Sequence, residues 1–133
     1  DFYTYMYECL QEFQDFDIAG HFSILDRYIG TLYDYSPVED QIDEILKLLI
    51  RNGKGLEINT SSFKYGTGTW LPRRSILSRY LNLGGEILTF GSDAHDPFYY
   101  QYHFNDAVEF ARSIGFRYYC KFRQRKPEFF PLP

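Results

Sequence analysis

Cysteine and histidine are scarce in this sequence, and their scarcity limits the metal chemistry that the chain can support. The 133 residues contain only two cysteines, Cys9 and Cys120, and neither belongs to a CxxC pair. A structural zinc site of the finger type requires such pairs, so the sequence excludes it. Two widely separated cysteines are typical of free thiols in a reducing compartment, and we expect a cytoplasmic protein.

Long apolar runs and an excess of positive charge are also missing. No stretch approaches the ~20 apolar residues that a membrane span requires, and no basic segment followed by an apolar one opens the chain. Lys and Arg number 14 against 18 Asp and Glu, which gives a formal net charge of −4. Because an acidic surface does not attract a polyanion, we expect neither membrane insertion nor nucleic-acid binding.

Apolar and aromatic residues, in contrast, are plentiful. Hydrophobic residues make up 44% of the chain and aromatic residues 20%, with 13 Tyr and 13 Phe. This composition is sufficient for a packed core dominated by large rings. The length predicts one domain or part of a larger one.

Apolar periodicity and glycine stops predict alternating helices and strands. The predicted helices cover residues 1–13, 22–28, 36–51, 72–83 and 104–114, and the predicted strands cover residues 16–20, 55–59, 86–91 and 116–122. Residues 31–37 and 60–70 are predicted loops, and the tail from residue 123 is predicted to be irregular. Strands joined by helical crossovers run parallel, so we expect an α/β fold with four parallel strands. A small doubly wound sheet and part of a (βα) barrel both fit this order.

Polar residues follow the predicted strands at the edge where α/β proteins place their active sites. His21 follows the first strand, and Asp93 and His95 follow the third. Neutral imidazole and carboxylate are suitable ligands for Zn, Mn or Fe, and a carboxylate can bridge two ions. The alternative is structural, since His and Asp at strand ends also cap turns by hydrogen bonding. Three such residues on one edge favour a metal site.

Two cations lie on segments that follow the predicted strands and could reach the same edge. Arg27 follows His21 on the next short helix, and Lys64 lies in the loop after the second strand. Both could bind a phosphate, Arg as a bidentate fork and Lys as a point charge, although surface charge is the alternative. His103 is predicted to be structural, Trp70 is either a wall of the substrate site or a satellite of the core, and the role of Glu57 stays open.

These motifs resemble those of PHP-family histidinol phosphatases over nearly the whole chain. The most specific block is Ser-Asp-Ala-His after a strand, and a Glu-Ile-Asn-Thr-Ser block supports the histidinol-phosphatase branch. The matching segments, in order, are Gly20–Phe22 with Arg27–Tyr28, Glu57–Ser61 with Lys64, Gly91–His95, and Ala107–Phe116.

The resemblance implies a distorted, TIM-like (βα) barrel of seven strands with two or three divalent metals, Zn, Mn or Fe, at its C-terminal rim. The implied reaction is hydrolysis of L-histidinol phosphate to L-histidinol in histidine biosynthesis. By motif match, His21, Asp93 and His95 would bind metal, Asp93 and His95 would take part in catalysis, and Arg27 and Lys64 would hold the substrate phosphate.

Several features depart from the family pattern. Family members often carry Arg at position 64 and Asp at position 23, where this chain has Lys64 and Ser23. The family's N-terminal His-x-His motif is absent, since none of the three histidines forms such a pair. We therefore expect residues 1–133 to be the C-terminal half of a phosphoesterase domain, inactive alone, which pairs with the missing half or with another copy. The alternatives are a non-catalytic domain that binds a phosphorylated metabolite or self-associates, and a PHP-like exonuclease.

Overall fold

A computed structural model describes residues 1–29 and 33–133 of the chain. The helices are α1 (Phe2–Glu12), α2 (Leu25–Tyr28), α3 (Glu39–Arg51), α4 (Arg74–Asn82) and α5 (Phe104–Ile114). The strands are β1 (Ile18–Ala19), β2 (Gly55–Asn59), β3 (Leu88–Gly91), β4 (Tyr118–Arg123) and β5 (Lys126–Pro131). The positions of all five predicted helices are confirmed to within a few residues. The predicted loop over residues 31–37 lies partly outside the described residues.

Local signals in the sequence account for the helix boundaries. The carboxylate of Asp1 accepts hydrogen bonds from the backbone N–H groups of Tyr3 and Thr4 and so caps α1. A short 3-10 turn at Ser36–Val38 precedes α3, with Pro37 in its first turn, and this turn shortens the helix expected there. Gly115, in a left-handed conformation, ends α5.

The three strands β1, β2 and β3 form a parallel sheet in that order. Ile18 pairs with Gly55 in the first ladder, and Leu56 pairs with Leu88 in the second. Because parallel strands point the same way, the residues that follow all three strands emerge at one edge of the sheet. The parallel α/β class expected from the sequence is confirmed for these strands.

The expectation of four parallel strands is wrong. In the described chain β4 pairs antiparallel with β5, whereas the sequence predicted an irregular tail. Gln124 and Arg125 lie between these strands, and both adopt left-handed backbone conformations. Two consecutive residues of this kind form the tight turn that suits a β-hairpin. The turn lacks the glycine or asparagine that normally indicates it, and the tail's prolines also weighed against a strand.

The core lies between the helices and one face of the parallel sheet. The apolar stripe of α3 is fully buried and packs with residues of the strands and of α4. Each buried side chain of this size stabilises the fold by about 1.5–3 kcal/mol. Members of this core include Ile42, Ile45, Leu46, Leu49, Leu56, Ile58, Ile76, Leu77, Tyr80 and Leu88. No helix in the described ranges is long and apolar enough to cross a lipid bilayer.

A buried ion pair joins α2 to the segment before α4. The carboxylate of Asp26 is 2% exposed and accepts both a bidentate contact from the Arg73 guanidinium and the backbone N–H of Tyr33. The Arg73 guanidinium also lies 4.2 Å from the centre of the Tyr35 ring. A carboxylate removed from water so completely depends on these partners.

We predict that Asp26→Ala lowers the free energy of unfolding by about 3 kcal/mol, because the Arg73 charge loses its partner in a poorly hydrated place. Asp43→Ala is the matched control, since Asp43 forms a bidentate pair with Arg79 that remains in contact with water. We expect a loss of at most about 1 kcal/mol there. Urea denaturation followed by circular dichroism measures both values, and equal losses would contradict the role of burial.

Candidate functional site

The shared carboxyl edge of the parallel sheet brings together residues that are far apart in sequence. His21 follows β1, Asn59 ends β2, and Asp93 follows β3. His21 and Asp93 both adopt left-handed backbone conformations, with φ of 53° and 49°. Such conformations are uncommon for residues other than glycine, and they cluster at functional sites.

Asp93 is the centre of this edge. His21 Nε2 lies 3.2 Å from Asp93 Oδ2, and His95 Nε2 lies 3.3 Å from Asp93 Oδ1. The structure therefore brings the three candidate metal ligands together, with one imidazole on each oxygen of the same carboxylate. The Asp93 side chain is 22% exposed and that of His95 is 76% exposed, so the site opens to solvent on the His95 side.

The charges around Asp93 favour its ionised form. Partial burial works to raise the pKa of Asp93, but the hydrogen bond to His21 and the charges of the neighbouring basic side chains outweigh it. The pKa of this carboxyl therefore lies below its ordinary value. An ionised carboxylate with an imidazole on each oxygen is suited to bind cations.

Arg27 provides a fixed positive charge beside this carboxylate. Its Nη2 atom donates a hydrogen bond to the hydroxyl of Ser61 and lies 3.6 Å from Asp93 Oδ2. The guanidinium also stacks over the ring of Tyr65, with 4.4 Å between its central carbon and the ring centre. The Arg27 side chain is only 10% exposed, and among the described residues its Nε has no hydrogen-bond partner.

Lys64 contacts the same aromatic ring. Its Nζ atom is 5.6 Å from the centre of the Tyr65 ring and 4.5 Å from that of Tyr99. Tyr65 thus contacts both candidate phosphate-binding cations, Arg27 and Lys64. Cation–π contacts of this kind hold a positive charge without neutralising it.

Glu57, whose role the sequence left open, belongs to this edge as well. Its Oε2 atom accepts hydrogen bonds from the backbone N–H of His21, at 3.4 Å, and from Nδ2 of Asn59, at 3.1 Å. The Asn59 side-chain oxygen in turn accepts the backbone N–H and the hydroxyl of Ser61. Sequence reasoning named Glu57 and Asn59 at a strand end but did not predict that they connect the other residues.

The remaining conspicuous residues lie outside this cluster. His103 precedes α5, and its Nδ1 atom lies 2.6 Å from a carboxylate oxygen of Asp106. Trp70 stacks on Phe110 at 4.9 Å and contacts the ring of Phe63 at 4.5 Å. The structure therefore places His103 and Trp70 in local packing around α5 and does not bring them to Asp93.

Comparisons with known proteins indicate the same family as the sequence motifs. No protein-family model matches the chain. The chain is 39% identical over 82 residues to a probable histidinol-phosphatase of Thermotoga maritima, covering 61% of this chain and 34% of that protein. It is 30% identical over 122 residues to a probable histidinol-phosphatase of Clostridium acetobutylicum, covering 87% of this chain and 46% of that protein.

A solved structure shares the fold. It is the crystal structure of a histidinol phosphate phosphatase from Lactococcus lactis in complex with zinc, L-histidinol and phosphate. The TM-score is 0.71 at 23% sequence identity, and the match covers 96% of this chain and 49% of that one. The chain thus spans between a third and half of the length of the relatives that it matches. Over the part that it covers, the chain is therefore similar to proteins named histidinol-phosphatase, the family that its motifs resemble.

Proposed function

We propose that this chain supplies the C-terminal half of a metal-dependent phosphomonoesterase that hydrolyses L-histidinol phosphate to L-histidinol, a step of histidine biosynthesis. The observation that carries the proposal is the arrangement at Asp93, where His21 and His95 approach opposite oxygens of one carboxylate beside a largely buried arginine. Relatives named histidinol-phosphatase support the choice of substrate. The free state of both cysteines agrees with the cytoplasmic location that we propose.

The donor set at Asp93 fits a divalent metal. Two ligands of one tetrahedral ion lie about 3.4 Å apart, because each bond is ~2.0–2.1 Å long. The two nitrogen–oxygen separations at Asp93, 3.2 and 3.3 Å, are close to that value. Imidazole nitrogen and carboxylate oxygen suit Zn, Mn or Fe. We therefore propose that His21, Asp93 and His95 would hold divalent ions, two or three in the whole protein.

Bound ions would lower the pKa of a water molecule and neutralise charge on the phosphate. The chain's own residues would orient the substrate. Arg27 is held by Ser61 and Tyr65 and mostly removed from solvent, so little reorganisation is needed when a phosphate arrives. Lys64, which also contacts Tyr65, would add a second positive charge without the bidentate geometry of a guanidinium. Asp93 and His95 would hold these ions beside the reacting phosphate.

The ligand set on this chain is incomplete. Within residues 1–29 and 33–133, no group of three or more His, Cys, Asp and Glu side chains is gathered tightly enough to hold an ion unaided. Asp93 and its two imidazoles nevertheless share one centre, and the chain spans less than half of the length of its histidinol-phosphatase relatives. We propose that the rest of a seven-stranded barrel supplies the other ligands and that the chain alone turns over little substrate.

We predict that the chain binds Zn²⁺ weakly and that Asp93→Asn reduces this affinity by at least about tenfold. Removing groups that only support a metal ligand already costs ~10–100-fold. His103→Asn is the matched control, because His103 also contacts a carboxylate but lies outside the site. Isothermal titration calorimetry with Zn²⁺ measures the affinities. Equal losses in both variants, or no binding by the unaltered chain, would contradict the metal site.

For phosphate, we predict that Arg27→Lys weakens binding by about tenfold, because a lysine keeps the charge but loses hydrogen bonds worth ~1.5 kcal/mol. Lys64→Arg should strengthen phosphate binding, since a guanidinium at that position can donate two hydrogen bonds to one phosphate. Arg117→Lys serves as the control, because Arg117 is exposed and lies beside α5, away from Asp93. Calorimetric titration with inorganic phosphate measures all three, and equal effects of both Arg→Lys changes would contradict the role of Arg27.

A second function deserves the same titration, because Arg27 and Lys64 are in place without any metal. In this alternative the chain is a non-catalytic domain that binds a phosphorylated metabolite through its two cations. Repeating the phosphate titration in EDTA separates the two proposals. Affinity that persists in EDTA favours the binding domain, whereas affinity that requires Zn²⁺ favours the phosphatase.

We also propose that this unit associates with the remainder of the barrel or with a second copy of itself. In the described sheet β1 pairs on one side only, with β2, and an open strand edge tends to recruit a further strand. We predict a dimer or larger assembly at ~100 µM, a concentration at which interfaces of even 10 µM affinity are mostly occupied. Sedimentation velocity measures the mass, and a well-folded monomer at that concentration would contradict self-association.

A further inference from the structure

Glu57 occupies a place for which the neighbouring strands leave room. A Cβ atom added at Gly91 would lie 2.0 Å from Glu57 Oε1, and one added at Gly20 would lie 3.2 Å from Oε2. The carboxylate of Glu57 therefore fits against the ends of β1 and β3 because both positions are glycine. Neither glycine has a left-handed backbone conformation, so a side chain at either position would not be strained by the backbone. It would instead crowd the carboxylate of Glu57.

One oxygen of this carboxylate serves two donors. Glu57 Oε2 accepts the backbone N–H of His21 and the side-chain Nδ2 of Asn59. The first contact supports His21, whose left-handed backbone conformation is unfavourable by itself. The second determines which way the Asn59 amide points, because only its nitrogen can donate to a carboxylate.

The orientation of Asn59 extends the chain of hydrogen bonds to Arg27. With Nδ2 directed at Glu57, the Asn59 oxygen faces Ser61 and accepts both its backbone N–H, at 2.9 Å, and its hydroxyl proton. The Ser61 hydroxyl has then donated its proton, so its oxygen is free to accept the Nη2–H of Arg27. Asn59 and Ser61 are buried, at 0% and 1% exposure, so water does not readily replace these bonds.

We propose that Glu57 is a positioning residue that sets His21 directly and Arg27 through Asn59 and Ser61, and so aligns the metal-binding and phosphate-binding groups of the site. This inference rests on the proposed function for its purpose but concerns contacts that exist without metal. Groups that support a metal ligand typically contribute ~10–100-fold in affinity, and we assign Glu57 an effect of that size.

The first test is made on the metal-free chain by ¹H–¹⁵N NMR, which reports the exchange of the His21 backbone N–H and the Arg27 guanidinium N–H groups with water. We expect Glu57→Ala to accelerate both by about tenfold, the change that corresponds to losing ~1.4 kcal/mol. Glu57→Gln retains an acceptor oxygen without the charge, and its effect should be intermediate. Glu86→Ala, at an exposed glutamate before β3, is the control and should change neither signal.

The second test removes the donor of one hydrogen bond. Asn59→Asp has nearly the same volume but cannot donate to Glu57, so it should accelerate Arg27 exchange as much as Glu57→Ala does. The dispersed NMR signals of the core establish that each variant is folded. Unchanged exchange at Arg27 in folded Glu57→Ala would overturn the inference. It would mean that the hydrogen bonds through Asn59 and Ser61 do not transmit the effect of Glu57 to Arg27.

A double-mutant cycle tests whether Glu57 depends on the space that Gly91 leaves for its carboxylate. It also provides a test if Asn59→Asp does not fold. Gly91→Ala should displace the Glu57 carboxylate and reproduce the exchange changes of Glu57→Ala. In the Glu57→Ala background the same glycine substitution should add little, because the group that it displaces is already gone. Additive effects of the two substitutions would overturn the assigned role.

Zn²⁺ titration of the same variants separates this inference from the proposed function. If the unaltered chain binds Zn²⁺, Glu57→Ala should weaken binding by ~10-fold and Glu57→Gln by less. If the unaltered chain binds no Zn²⁺, the proposed metal site fails, while the NMR exchange of the metal-free protein still decides whether Glu57 positions His21 and Arg27.

Discussion

The parallel register of β1, β2 and β3 brings the end of each strand to a common edge, and every contact of the candidate site depends on it. His21 reaches Asp93 across 72 residues of sequence only because the strands preceding them flank the same central strand. The helices stabilise this register from one side, through the buried stripe of α3 and the apolar residues of α4. A change of register in β2 would turn Glu57 and Asn59 toward the core, because successive strand residues face opposite sides.

Within that frame the site combines opposite charges at short range. Asp93 contacts two imidazoles and lies near Arg27, while Glu57 contacts backbone and amide donors. The two carboxylates share His21, but Asp93 contacts its ring and Glu57 its backbone N–H. This division suits separate tasks, because Asp93 is open to incoming cations and Glu57 supports the residues around it. Their partial burial strengthens these contacts relative to the same pairs in water.

How far the sequence predicts this arrangement differs from element to element. The stripe of α3 and the apolar run of β2 are local patterns, and both were predicted correctly from periodicity. The hairpin of β4 and β5 was missed, because its turn at Gln124 and Arg125 adopts left-handed conformations with residues that seldom do so. Glu57 was recognised only as a polar residue near a strand end, because the space that it fills is created by Gly20 and Gly91 on two other strands.

The sequence by itself determined the order of the helices and of the first four strands, the residue types at the strand ends and the family that its motifs resemble. These properties follow from local periodicity and short motifs, which need no knowledge of distant contacts. The tertiary structure alone decided that two imidazoles share one carboxylate and that a chain of hydrogen bonds joins Glu57 to Arg27. Such contacts depend on sub-ångström placement of strands that are tens of residues apart, and no local pattern encodes that placement.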